Sequence, residues 1–221
     1  ARAVAAELTA LLGDLGPSDP VLVVGLGNRA ITPDAIGPKA ADLTLVTRHL
    51  VEAEPERFGL FRPVAALAAG VLGTTGVESG ELVKAVAEKV RPARILAVDA
   101  LASRSLKRVC RTVQLSDVGI VPGSGVGNHR YALDRETMGV PVIALGVPTV
   151  VDAATLCADV LAEAGRGDLD PQALGDAGRG VIVTPREIDS DVTDLAKVLG
   201  YGIDLALQPA LRLEDIELLT G

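Results

Sequence analysis

VLVVGLGNRAITPDAIGP, residues 21–38, is the stretch whose reading decides the fold of this chain. Val21 to Val24 is apolar at every position, the mark of a strand buried on both faces of a parallel or mixed central sheet. Gly25 and Gly27 open a loop through Asn28, and Thr32-Pro33 predicts the start of a helix running to about Thr44. Threonine is a good N-cap, and proline suits the first helical position, where its missing N–H costs nothing. Asp34 then falls in the first turn, where the helix dipole favours the anion. In an open α/β sheet, ligands bind in the crevice beyond the carboxyl ends of the strands, and this loop lies at that edge.

Outward from this unit the same alternation recurs. Ile95 to Val98 is a second fully apolar strand, ending on Asp99, after a helix predicted over Ser79 to Val90 and closed by Arg91-Pro92. Pro141 to Val147 is a third buried strand, and Val150-Val151-Asp152-Ala153 leads into a helix to about Ala164. Phe61 to Ala68 is a further apolar segment, and a strand is expected over Cys110 to Leu115. Residues 1–15 carry apolar positions at helical spacing, Val4, Leu8, Leu11, Leu12 and Leu15, which predicts an amphipathic helix packed on the body. Arg48 to Phe58 reads as a solvated connection, 70–76 and 119–127 as glycine-rich loops, and 165–180 as a mobile surface loop. Thr184-Pro185-Arg186-Glu187 repeats the helix-start pattern, with Gly200 and Gly202 expected to break the helix after Leu199. The fold expected is a single α/β domain over 1–221, with a mostly parallel or mixed sheet flanked by helices.

Composition narrows the function. The 221 residues carry a net charge of −8 with a pI near 4.8, no Trp, two Tyr and two Phe, so the chain offers neither the basic footprint nor the stacking rings of a nucleic-acid binder. No apolar run reaches the ~18 residues of a membrane span, although 48% of residues are hydrophobic and mean hydropathy is +0.37. That surplus is assigned to buried sheet and a subunit interface. Cys110 and Cys157 stand outside any metal-type spacing and are expected to be reduced thiols in cytoplasm. Glu7 interrupts the N-terminal apolar run, which has no basic region before it, so no secretory signal is expected.

Asp34 and Asp99 form the sharpest constellation, because each follows a buried strand and they belong to separate βα units. The apolar setting of Leu96-Ala97-Val98 is expected to favour a protonated Asp99, and the helix start an ionised Asp34, which would give an acid and a base for hydrolysis. The structural alternative makes Asp34 a first-turn helix charge and Asp99 a loop cap, and both readings stay open on pattern alone. Gly25-Leu26-Gly27-Asn28-Arg29-Ala30 matches the dinucleotide fingerprint, but the helix starts too late and Thr47, Arg48 and His49 stand where an acidic residue is needed, so no such cofactor is expected. Ser124 lacks the elbow motif of serine hydrolases, and no Gly-Lys-Ser/Thr follows the run from Pro122 to Asn128. That run is read as an anion nest, a substrate-binding loop or a turn. Gly27, Asn28, Gly123, Ser124 and Gly125 are the candidate substrate-binding positions.

Several strings together resemble one family: GLGN and TPDAIGP within 25–38, LVTRHL at 45–50, VDALASRS at 98–105, QLSDVGIVPGSGVGNHR at 114–130, GVPVIALGVPTVVDA at 139–153 and VTPREID at 183–189. They are similar to the germination protease of spore-forming bacteria. The resemblance implies an atypical aspartic endopeptidase that degrades small acid-soluble spore proteins in the spore core. It also implies a zymogen cut near its N-terminus, a homotetramer, and catalytic aspartates at Asp34 and Asp99. A start at Ala1 resembles a chain whose propeptide or leading residues are gone. Hydrogenase maturation proteases resemble the same fold more distantly and recognise nickel through carboxylates and a histidine. In that alternative Asp34, Asp99 and His129 would hold a metal, whereas the main reading needs none. A third reading, a non-enzymatic ligand-binding domain, makes both aspartates incidental.

Overall fold

Val21–Leu26 forms strand β1, buried at all six positions, in the computed structural model, which describes residues 1–123, 131–166 and 180–220. Its neighbours are β2 (Val64–Gly70) and β3 (Arg94–Ser103), both parallel to it. β5 (Val142–Asp152) lies parallel to β3, and two short strands, β4 (Gln114–Ser116) and β6 (Ile182–Val183), run antiparallel along β5. The sheet order is β2-β1-β3-β5-β4, with β6 also on β5. This is the expected single α/β domain with a mixed, mostly parallel sheet.

Strand alternation sends successive side chains to two separate cores. Val21 and Val23, with Leu96 and Val98, pack against helices α1 (Arg2–Leu12), α2 (Ile36–Asp42) and α9 (Ile188–Leu207) on one face. Leu22, Val24 and Leu26, with Ile95 and Ala97, pack against α6 (Ser79–Val90) and α7 (Arg135–Met138) on the other. A central strand that feeds both cores has no polar position to offer, which is why β1 reads as an unbroken apolar run. α1 docks through Val4, Leu8 and Leu12 as its periodicity predicts.

Several expectations are corrected. The segment 48–58 holds two short helices, α3 (Arg48–Ala53) and α4 (Pro55–Phe58), and 72–75 holds another, α5 (Leu72–Thr75). The 61–68 segment enters the sheet only at Val64, and the strand expected from Cys110 shrinks to Gln114–Ser116. Cys110 has φ 53 and donates its N–H to the Pro148 carbonyl, so it turns the chain instead of extending it. α8 (Ala153–Glu163) follows β5 as expected, with Asp152 as its N-cap. α9 starts at Ile188, while Thr184 Oγ1 donates to the Thr149 carbonyl instead of capping it. Most plainly, α9 runs unbroken through Gly200 and Gly202. A Cβ at Gly200 would stand 2.8 Å from that of Leu43, and one at Gly202 would stand 2.9 Å from that of Val4. These glycines let the helix approach α1 and the end of α2, a packing role that overrides their low helix propensity. A final helix, α10 (Leu213–Thr220), carries no strong signal in the sequence. Most of the surface loop expected over 165–180 lies outside the described residues. No helix among the described residues is long and apolar enough to cross a membrane.

Candidate active site

The chain leaves β1 toward β2 and leaves β3 toward β5, so the crevice between the carboxyl ends of β1 and β3 is the topological switch point of the sheet. Two glycines set how closely α2 enters it. A side chain at Gly25 would collide with the Gly37 carbonyl, and one at Gly37 would collide with the carbonyls of Leu26 and Val98, so the first turn of α2 rests on the backbones of both strands. Gly27, at φ 110, carries the chain away from β1, and a Cβ there would strike the main-chain oxygen of Asp34. Only a glycine satisfies both demands.

The loop 28–34 then folds back on itself. Asn28 N–H donates to Asp34 Oδ2 at 2.7 Å, Asn28 Oδ1 accepts Ala30 N–H at 3.0 Å, and Asp34 N–H donates to the Ile31 carbonyl at 2.8 Å. Thr32–Asp34 is consequently a single 3-10 turn, with the α-helix beginning only at Ile36. Thr32 makes no capping bond. The expectation of a helix from Pro33 capped by Thr32 is thus corrected: i to i+3 bonds in the folded-back loop tighten the entry before α2 can start.

Asp99 does not end its strand, as the sequence suggested; β3 continues to Ser103, held by β5. Asp99 is 6% exposed, and its Oδ1 accepts Ala100 N–H at 2.9 Å. Its neighbour in β5 is Gly146, which offers no side chain and over which Leu101 leans. By strand alternation Asp99 falls on the face of Ile95 and Ala97, whereas Asp34 is delivered from the α2 face. Both aspartates line one cleft of about 760 Å³.

Gly27 and Gly123 also line this cleft; Asn28 does not, and serves the loop by holding Asp34. Ser124, Gly125 and His129 lie outside the described residues. Among the described residues no three His, Cys, Asp or Glu side chains are grouped to hold a metal ion. Two further carboxylates, Asp152 at the end of β5 and Asp134 ahead of α7, are helix caps. Asp152 is held below its usual range by the Thr155 hydroxyl and N–H, and Asp134 by the Thr137 N–H and hydroxyl.

Two lining residues escape a reading of the sequence. Arg104, just past β3, is the one cation lining the cleft among the described residues. Thr149 stands where the β3–β5 register skips, Leu101 pairing with Pro148 and Ala102 with Val150. It is 1% exposed, and its hydroxyl has no partner among the described residues. The available signal was slight: one hydroxyl inside the apolar run from Val142 to Val151.

With this geometry in place, comparison with known proteins is decisive. The model of the germination protease family matches residues 1–163. Germination protease of Clostridium perfringens (strain 13 / Type A) is 45% identical, the alignment covering 96% of this chain and 73% of that protein. Its counterpart in Caldanaerobacter subterraneus subsp. tengcongensis is 41% identical over 96% of this chain and 74% of the relative. That of Bacillus subtilis (strain 168) is 39% identical over 96% and 73%. The chain belongs to the germination protease family.

Proposed function

We propose that this chain is an endopeptidase of spore germination that degrades small acid-soluble spore proteins in the spore core, with Asp34 and Asp99 as its acid–base pair. Family membership makes it a peptidase. One observation supports the assignment of the chemistry: two aspartates from separate βα units line a single cleft at the switch point of the sheet, approaching from opposite faces. In this reading one carboxylate, Asp34, draws a proton from water as the oxygen attacks the scissile carbonyl carbon. Asp99, protonated, gives its proton to the carbonyl oxygen; as the C–N bond breaks, the proton held by Asp34 passes to the leaving amine and Asp99 recovers one from a hydroxyl of the collapsing tetrahedral diol. Each carboxyl accepts a main-chain N–H, so in this reading the acid and base roles are interchangeable between the two. The main chain at Gly123, on the cleft wall, is suited to face the developing oxyanion.

The test is cleavage of a purified small acid-soluble spore protein by the wild type and by Asp34→Asn and Asp99→Asn, each checked by circular dichroism. Loss of one member of an acid–base pair is expected to slow cleavage about 10²- to 10⁴-fold. Folded variants that kept near-normal turnover would remove the dyad. A parallel arm with exhaustive chelation is expected to leave the rate unchanged. Chelator-sensitive cleavage restored by nickel, together with an inactive His129→Ala, would shift the reading to a metal site.

A further inference from the structure

We infer that an extended segment of the substrate polypeptide docks as an added strand along the projecting edge of β3, residues 99–103, in the strip beyond the end of β1. This rests on the peptidase reading of the cleft. The β1–β3 ladder stops at the Gly25–Val98 pair, and the last residue of β1, Leu26, pairs with Gly70 of β2. On its other side β3 stays paired to β5 as far as Ser103–Val151. Asp99 to Ser103 therefore has a strand on one flank only, among the described residues. A strand edge of this kind is a template for a further chain, recognised by main-chain hydrogen bonds.

The direction of the main-chain groups follows from the ladder. Ile95 N–H donates to the Pro141 carbonyl on the β5 side. Alternation then turns Ala97 and Asp99 toward β5 and Ala100 toward the strip. Consistent with this, Ala100 N–H is held by Asp99 Oδ1 and not by a neighbouring strand, which leaves the Ala100 carbonyl to accept an N–H from the docked chain. Ala100, Leu101 and Ala102 are half-buried and line the cleft. Five residues of edge span about 17 Å at ~3.3 Å per residue, enough to hold a short extended stretch.

The occupant is a polypeptide and not a small ligand because of what brackets the strip. At its inner end stand Asp34, from the α2 face, and Asp99, from the α6 face. A chain lying in the plane of the sheet between them presents one peptide group to a carboxyl on each face. Recognition through the main chain demands an extended, locally unfolded segment and places few demands on its side chains.

The test is an N-methyl scan. The wild-type chain is assayed on synthetic peptides spanning a cut it makes in a small acid-soluble spore protein, each peptide methylated at one backbone nitrogen. The expected pattern has period two: kcat/KM falls about tenfold where the N–H is bonded and less than about twofold at the residues between. In a second arm, hydrogen exchange of the Ala102 N–H, which alternation turns toward the strip, is followed in Asp34→Asn with and without the whole substrate protein, and is expected to slow about tenfold on binding. Absence of alternation together with unchanged exchange would overturn strand docking. If that happened while both Asn variants stayed inactive, only the docking mode would fall; if the Asn variants cleaved normally, the site itself would be wrong.

Discussion

A methyl group at Gly27 would meet the main-chain oxygen of Asp34 on a backbone at φ 110, so Gly27→Ala forces the 28–34 loop to shift. The shift displaces a carboxyl at the cleft while leaving both cores intact, and a misplacement of ~1 Å in such a group is enough to cost roughly 10²-fold in rate. Gly27→Ala is therefore expected to retain a native circular dichroism spectrum and to lose cleavage by about that factor. Thr149 makes a different prediction, since its hydroxyl is buried with no partner among the described residues. An unsatisfied buried polar group costs ~1–3 kcal/mol, so the isosteric Thr149→Val is expected to stabilise the fold by about 1 kcal/mol, read from the urea midpoint. A lower midpoint would mean that the hydroxyl is bonded in solution. Asp34 and Asp99 are legible in the sequence because Asp99 stands directly after the apolar run Ile95 to Val98 and Asp34 in the Thr-Pro-Asp turn that follows the glycine-rich loop beyond β1. Thr149 is not, because the register skip that singles it out depends on β3, some fifty positions away in the chain.

Among the elements, α6 is read to the residue, Ser79–Val90, since its apolar spacing, its acidic first turn and the closing Arg91 agree. Local signals fail where packing opposes them. Gly200 and Gly202 look like helix breakers, yet α9 runs on to Leu207 because α1 and the end of α2 fill the space their side chains would take. On an exposed helix, glycine to alanine gains up to ~1 kcal/mol. At Gly202 the new methyl would stand 2.9 Å from Val4 Cβ, and overpacking of this kind costs ~1–3 kcal/mol. Gly202→Ala is accordingly expected to destabilise the protein by about 1 kcal/mol or more in urea denaturation. A stabilised variant would show that α1 yields easily. The length of β3 was hidden for a related reason: a polar Asp99 resembles a strand end, and only the pairing with β5 carries the strand to Ser103.

At the scale of the molecule, the alternation of apolar strands and helices made the two-faced sheet legible, while the order β2-β1-β3-β5 depends on pairings between distant segments. The mean hydropathy of +0.37 and the exposed apolar side chains, Leu60 and Leu218 among them, accord with association. Light scattering is expected to report an assembly of more than one chain, and a species of 22.6 kDa would count against it.

One buried group ties this architecture to pH. Asp204 of α9 is 1% exposed, its Oδ1 accepts the Leu45 N–H at 3.0 Å, and its Oδ2 has no partner among the described residues. Burial pushes its carboxyl up to about 7, against the opposing pull of the Leu45 N–H. In the unfolded chain the same group titrates near ~3.9. Between about pH 4 and 7, then, the folded state keeps a proton that the unfolded state has released, and stability falls as pH rises. This contribution is fully present below about pH 4 and lost above about pH 7. At 1.36 kcal/mol per unit it amounts to roughly 4 kcal/mol. Asp134 and Asp152 act in the opposite sense, being depressed, and their contribution is lost only as pH falls below the ordinary carboxylate range, outside this window. The urea midpoint is therefore expected to be higher at pH 5 than at pH 8. In Asp204→Asn, which keeps an acceptor for Leu45 but cannot ionise, the difference is expected to shrink to a small residue. An equal slope in the two proteins would place the titration elsewhere.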